Sequence, residues 1–238
     1  MTRLFVLIPS RQRPGSVGAM ARAFANTCTA DTTMIWCIDG DPDEDDYRTA
    51  VEVSRATFYP AMRIHLGHER RRLVGTLNFW SVMYASRPDR PCAIAYLGDD
   101  HRPATYGWDS AYLAALKLLG AGIVYGDDGH QGANLPTQMA MTTDIVRALG
   151  YLAPPPLTHM YCDNFWKDLG EGAGCLLYLP DVKVTHLHPG AGKGSWDASY
   201  HESNSAGSYA TDKAAYERYR AEELPRAVDI VKNLRSNL

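Results

Sequence analysis

Two carboxylates and an imidazole stand side by side at Asp99, Asp100 and His101, directly after the apolar run 93–97 and a glycine. Adjacent carboxylates repel, and holding them together is costly unless a cation or basic group neutralises them. Oxygen donors of this kind suit Mg2+ or Mn2+, ions that keep some waters and take substrate phosphates as further ligands. A turn with a capping Asp uses the same residue types, so the pair alone decides nothing. Its position decides more, because ligands of parallel α/β sheets bind beyond the carboxyl ends of the strands.

Other stretches carry reactive groups. Val184-Thr185-His186-Leu187-His188-Pro189 runs into Gly190-Ala191-Gly192-Lys193. In a strand His186 and His188 project from one face, so both are placed to face a cleft. Arg70, Arg71 and Arg72 precede an apolar helix, where guanidinium groups suit bidentate pairing with phosphate oxygens or simply form a solvated helix start; Arg72 is the leading candidate of the three. Tyr161-Cys162-Asp163-Asn164-Phe165-Trp166 puts an acid at a helix start, where capping is its ordinary use. Tyr125-Gly126-Asp127-Asp128-Gly129-His130 is a competing acidic motif whose glycines fit a tight turn.

The elements that must position these groups follow a rhythm. Residues 4–8 form a continuous apolar run, the pattern of a strand buried on both faces, and 33–38, 62–66 and 93–97 are further strand candidates. Between them, 16–28, 44–56 and 73–85 show the apolar spacing of one helix face. Strand-helix alternation predicts an α/β fold with a mostly parallel sheet. The polar turns Pro9-Ser10-Arg11, Asp39-Gly40-Asp41 and Gly98-Asp99-Asp100-His101 then fall on one sheet edge. Beyond residue 102 the rhythm loosens: a helix over 108–119, strands over 123–125 and 138–141, a helix after Thr143, a rigid corner at Pro154-Pro155-Pro156, a short helix over 163–169, two strands over 176–179 and 182–187, and a helical segment over 211–234 broken at Pro225. The Gly- and Ser-rich stretch 189–208 is the expected mobile lid.

Val6-Leu7-Ile8-Pro9-Ser10-Arg11-Gln12-Arg13-Pro14 resembles the opening strand and nucleotide loop of family-two GT-A glycosyltransferases, and Leu97-Gly98-Asp99-Asp100-His101 resembles their Asp-x-Asp metal motif. The resemblance covers the first half of the chain in order. It implies a single GT-A, Rossmann-like domain over 1–238, with a nucleotide-sugar-binding half (1–102), an acceptor-binding and metal-completing half (103–210) and a C-terminal helical segment (211–238). By the same resemblance Pro9, Ser10, Arg11 and Asp39 contact the base and ribose of the donor, while Asp99 and Asp100 hold ribose and metal; Arg13, in the same loop, and Arg72 are further donor-binding candidates. His101 stands where the family carries an acid, so Asp99, Asp100 and His101 all remain candidate ligands. His188 resembles the late third ligand, Lys193 would meet the leaving phosphate, and Asp163 matches the base of inverting members. Trp166 is core packing or a platform for a sugar face. The implied cofactor is Mn2+ or Mg2+; the implied partners are a nucleoside-diphosphate sugar and an acceptor that is a small molecule, a glycan, a protein or a modified nucleic-acid base.

Bulk properties narrow the field. Among 238 residues 45% are hydrophobic and 21% charged, near the averages for folded soluble proteins. A net charge of −3 argues against strong non-specific attraction to nucleic acid. The five scattered cysteines form no Cys-x-x-Cys pair, which disfavours a disulfide framework or zinc ribbon and fits a reducing cytoplasm. The N-terminal apolar run is too short for a signal peptide core, and no segment reaches the ~20 apolar residues that stable membrane insertion needs. A nucleotidyltransferase acting on a sugar phosphate, a metal-dependent hydrolase and a non-catalytic sugar-binding module are the competing readings.

Overall fold

The apolar run near the N-terminus becomes β1 (Arg3–Ser10), whose alternate residues feed two different cores: Phe5 and Leu7 on one face of the sheet, Leu4, Val6 and Ile8 on the other. The structure, a computed structural model, describes residues 3–194 and 196–237. Ser195, inside the expected lid, and Met1, Thr2 and Leu238, at the ends of the expected domain, lie outside them.

Strands β2 (Asp31–Asp39), β3 (Met62–Gly67) and β4 (Ala93–Tyr96) alternate with helices α1 (Ser16–Thr27), α2 (Glu44–Thr57) and α3 (Arg72–Ala85). β2 and β4 flank β1 and β3 lies beyond β2, all parallel, so the carboxyl ends of β1, β2 and β4 share one edge. The second half adds β5 (His101–Pro103), α4 (Trp108–Leu119), β6 (Ile123–Asp127), β7 (Met139–Thr142), α5 (Thr143–Leu149), α6 (Cys162–Gly172) and β8 (Leu176–His186). Helices α7 (Ala198–Ser203), α8 (Ala206–Glu222) and α9 (Leu224–Ser236) close the chain. The sheet order is β3-β2-β1-β4-β7-β6-β8-β5. Among the described residues four pairings are parallel and three antiparallel: β7 opposes both β4 and β6, and β5 opposes β8.

One layer packs α1, α2 and α4 residues such as Met20, Phe24, Tyr47 and Trp108 against the sheet, and the other packs Leu77, Phe165, Trp166 and Tyr219. Burying each such side chain contributes about 1.5–3 kcal/mol. Three sequence expectations change. The two late strands are one strand, β8, because its ladder with β6 continues through an irregularity between Gly126 and Asp127 that absorbs Pro180, Asp181 and Val182. The expected lid contains a helical turn, α7, and the terminal helical segment starts at Ala206 rather than near residue 211. The expected break is there, with α9 beginning at Leu224 and Pro225 in its first turn. Among the described residues no helix is long and apolar enough to cross a membrane.

Candidate active site

The acidic turn is built by a short reversal of the chain after β4, closed by the His101 N–H donating to the Gly98 carbonyl at 3.0 Å. A Cβ at Gly98 would collide with the Asp100 carboxylate and the His101 ring, so glycine is required there. His101 opens β5, and antiparallel register sets it directly opposite His186, the last residue of β8. The two rings stack with centroids 4.1 Å apart and planes at 18°. Asp100 lies between them: one carboxylate oxygen is 3.2 Å from His101 Nδ1 and the other 3.1 Å from His186 Nε2.

Asp100, His101 and His186 each offer a donor atom within 4.8 Å of the others. His101 Nδ1 accepts the Gly98 N–H at 3.0 Å, so an electron pair of that nitrogen and a carboxylate oxygen are held in contact, an arrangement that a cation relieves. His101 Nε2 is buried without a hydrogen-bond partner. The set fits a divalent cation.

Burial works against charge on Asp100, but the 3.1 Å hydrogen bond from His186 Nε2 and the charge of that ring hold its carboxyl well below the usual range. His186 is also opposed by burial, yet Asp100 and Asp128 raise its pKa to about 9. Burial raises the Asp99 carboxyl, while the Arg13 guanidinium 2.8 Å away and the Ser10 hydroxyl at 2.6 Å pull the other way. Asp99 therefore faces the nucleotide loop rather than the histidines. That loop is further tied by Tyr47, whose hydroxyl meets Ser10 at 2.6 Å and accepts the Arg13 N–H at 2.8 Å.

Asp39, at the end of β2, is buried, and its oxygens accept the N–H groups of Arg71 (2.6 Å) and Arg72 (2.8 Å) and the Thr76 hydroxyl (3.0 Å). It caps α3 from another strand and fixes Arg72 at the cleft with φ 59°. Gln12 (φ 58°) and Tyr161 (φ 67°) share this left-handed conformation, uncommon for residues with a Cβ and costing of order 1–3 kcal/mol each. All three lie in or beside the lining of one cleft of about 290 Å³.

Pro9, Ser10, Arg11, Arg13, Asp39, Arg72, Asp99, Asp100, His101, Asp163 and His188 line that cleft. Lys193 does not, since its ammonium donates to the Gly129 carbonyl at 2.8 Å. His188 lies beyond the end of β8, where strand alternation stops; its Nδ1 accepts the Gly190 N–H, and its ring is 5.1 Å from that of His186. Asp163 sits inside the first turn of α6, with no capping bond from Tyr161 before it; its Oδ1 accepts the adjacent Asn164 N–H at 2.9 Å, and burial raises its pKa. Trp166 is 1% exposed and donates to the Leu152 carbonyl at 2.8 Å, the behaviour of a core residue. Asp127 and Asp128 organise a turn, as their glycines suggest: the Gly129 N–H donates to Asp127, and Gly129 has φ 68°.

Sequence reasoning missed α7. Asp197, just before it, takes Arg13 through two bonds of 2.7 and 2.8 Å. The Tyr200 hydroxyl donates to Asp100, and Glu202 pairs with Arg70 at 2.5 Å and lies 3.8 Å from Arg72. The expected lid thus places an acid, a phenol and an acid on the very groups expected to hold donor and metal. Spacing alone carried no signal for this, because the pairs span one hundred residues or more.

A four-stranded parallel half, an acidic turn beyond β4 and a second half of mixed strand direction make up the GT-A fold. Among solved structures sharing it are the mannosyltransferase PcManGT from Pyrobaculum calidifontis in complex with GDP-Man and Mn2+ (TM-score 0.63, 12% identity, 97% of this chain and 73% of that one), TarS of S. aureus with UDP-GlcNAc (0.58, 10%, 76% and 57%), and GalNAc-T7 with UDP, GalNAc and Mn2+ (0.63, 10%, 78% and 43%). The match spans only 36% of the longer S. aureus TarS chain. No protein-family model matches the sequence, and no curated protein does.

Proposed function

We propose that this chain transfers a glycosyl group from a nucleoside-diphosphate sugar to an acceptor hydroxyl, with inversion at the anomeric carbon. The observation that carries the reading is the meeting of Asp100, His101 and His186 beyond a parallel strand, in a cleft that also holds arginines and a buried carboxyl. Residues 1–102 would hold the donor and 103–210 the acceptor, with 211–238 bracing the second half.

Asp100, His101 and His186 would hold Mn2+ or Mg2+, and two imidazoles in the set favour Mn2+ because Mg2+ prefers oxygen. Such a cation would neutralise charge on the diphosphate. Pro9, Ser10 and Arg11 wall the nucleotide, and Asp39 acts on it by placing Arg72. Arg70 and Arg72 pair with phosphate oxygens once Glu202 gives way. Asp163 takes the acceptor's proton as the acceptor oxygen bonds the anomeric carbon and the bond from that carbon to the phosphate oxygen breaks. Burial makes Asp163 a stronger base than an exposed carboxylate. The segment 189–208 re-forms over the bound donor, excluding water that would hydrolyse it.

Product analysis tests this. A panel of UDP- and GDP-sugars incubated with Mn2+ and mixed acceptors should release nucleoside diphosphate. Release of pyrophosphate from a nucleoside triphosphate and a sugar phosphate would replace the proposal with nucleotidyl transfer.

A further inference from the structure

We propose that Asp128 is a positioning residue that orients the His186 imidazole so that Nε2 faces Asp100. The inference rests on reading Asp100, His101 and His186 as the cation site. A ring that gives Nε2 to a cation carries its proton on Nδ1, and a buried N–H needs an acceptor. His186 Nδ1 is buried with no hydrogen-bond partner, and Asp128 Oδ2 lies 3.8 Å from it. The backbones are tied as well, the His186 N–H donating to the Asp128 carbonyl at 2.9 Å.

Asp128 is itself rigidly held. It is 1% exposed; its Oδ1 accepts the N–H groups of His130 (2.8 Å), Gln131 (2.7 Å) and Gly132 (3.0 Å), and its Oδ2 accepts the Thr137 hydroxyl at 2.7 Å. Stapling the loop uses Oδ1 and Thr137. It does not account for a full negative charge buried against an imidazole. The irregularity between Gly126 and Asp127, where a Cβ on Gly126 would strike the Val182 carbonyl, aims Asp128 at the end of β8. At 3.8 Å the contact is a charge pair, and it shortens to a hydrogen bond when Nε2 engages a ligand.

Asp128→Asn tests this at nearly constant shape. The three N–H groups force the Asn carbonyl into the Oδ1 position, so its NH2 replaces Oδ2 and offers His186 Nδ1 a donor instead of an acceptor. Mn2+ affinity, read from the electron paramagnetic resonance of free Mn2+, should fall about 10–100-fold, with the thermal midpoint little changed. Thr137→Val, which loosens the same loop but keeps the carboxylate, should cost less than about threefold if orientation of His186 dominates. Nitrogen NMR without added metal, in an Asp100→Ala background that removes the competing acceptor at Nε2 and at a pH where the ring is neutral, should show the His186 proton on Nδ1 when Asp128 is present and on Nε2 in Asp128→Asn. Unchanged Mn2+ affinity in Asp128→Asn, or an equal loss in Thr137→Val, overturns the proposal. If the parent protein takes up no Mn2+, the cation reading fails and the nitrogen signals decide alone: a proton still on Nδ1 in Asp128→Asn overturns the role of Asp128.

Discussion

Replacing Asp39 with Ala should destabilise the protein as well as impair donor binding. The carboxylate accepts two backbone N–H groups at the start of α3 and the Thr76 hydroxyl, at 2.6, 2.8 and 3.0 Å, and is 7% exposed. Loss of a helix cap costs ~1–2 kcal/mol. Thr76 is 3% exposed, and its orphaned hydroxyl adds ~1–3 kcal/mol. Water reaches Arg71 and Arg72 and recovers part of the sum, leaving a net loss of about 2–4 kcal/mol. For a domain of this size the melting temperature should drop roughly 5–15 °C. Urea denaturation gives the free energy directly, and Thr76→Val, which removes one of the three bonds, should lose about 1 kcal/mol. A loss below about 1 kcal/mol in Asp39→Ala, with donor affinity alone reduced, would refute the capping account and leave Asp39 as a donor contact only.

His159 lines the cleft, and burial lowers its pKa to about 4. Its unfolded value is ~6.5, so the unfolded chain binds more protons between the two; the stability tied to the neutral ring is present above pH ~6.5 and lost as pH falls through ~4, about 3 kcal/mol in all. His159→Asn should flatten that acid slope in urea titrations from pH 4 to 7, and an unchanged slope would contradict it. Glu202→Gln should tighten donor binding about two- to fivefold by freeing Arg70 and Arg72, a modest gain because these pairs are more than a third exposed; weaker binding by calorimetry would mean that Glu202 assists the donor. Asp163→Asn should lower kcat about 10²–10⁴-fold with donor affinity kept, measured by steady-state kinetics.

The nucleotide half was legible because β1, β2 and β4 are largely buried on both faces and its helices show one apolar stripe, patterns that local sequence carries. The second half was harder for identifiable reasons. β5 is three residues long and exists only through its pairing with β8. Pro180 and Asp181 look like a turn between strands, yet β8 runs through them because β6 tolerates a bulge there. Alternation put His186 and His188 on one face, but β8 ends at His186, so cross-strand register with His101 brought His186 to Asp100 instead. Asp39 was legible as a cleft residue, whereas its capping of α3 depends on a contact across more than thirty residues. The α7 contacts with Arg13, Asp100 and Arg70 depend on packing of the closed chain, for which no local pattern exists.

The most direct test is calorimetric titration of GDP- and UDP-sugars into the protein with and without Mn2+, repeated with Asp100→Asn. At least one donor should bind, Mn2+ should strengthen that binding, and Asp100→Asn should abolish the strengthening while the fold is kept. Donor binding indifferent to Mn2+ and to Asp100 would contradict it.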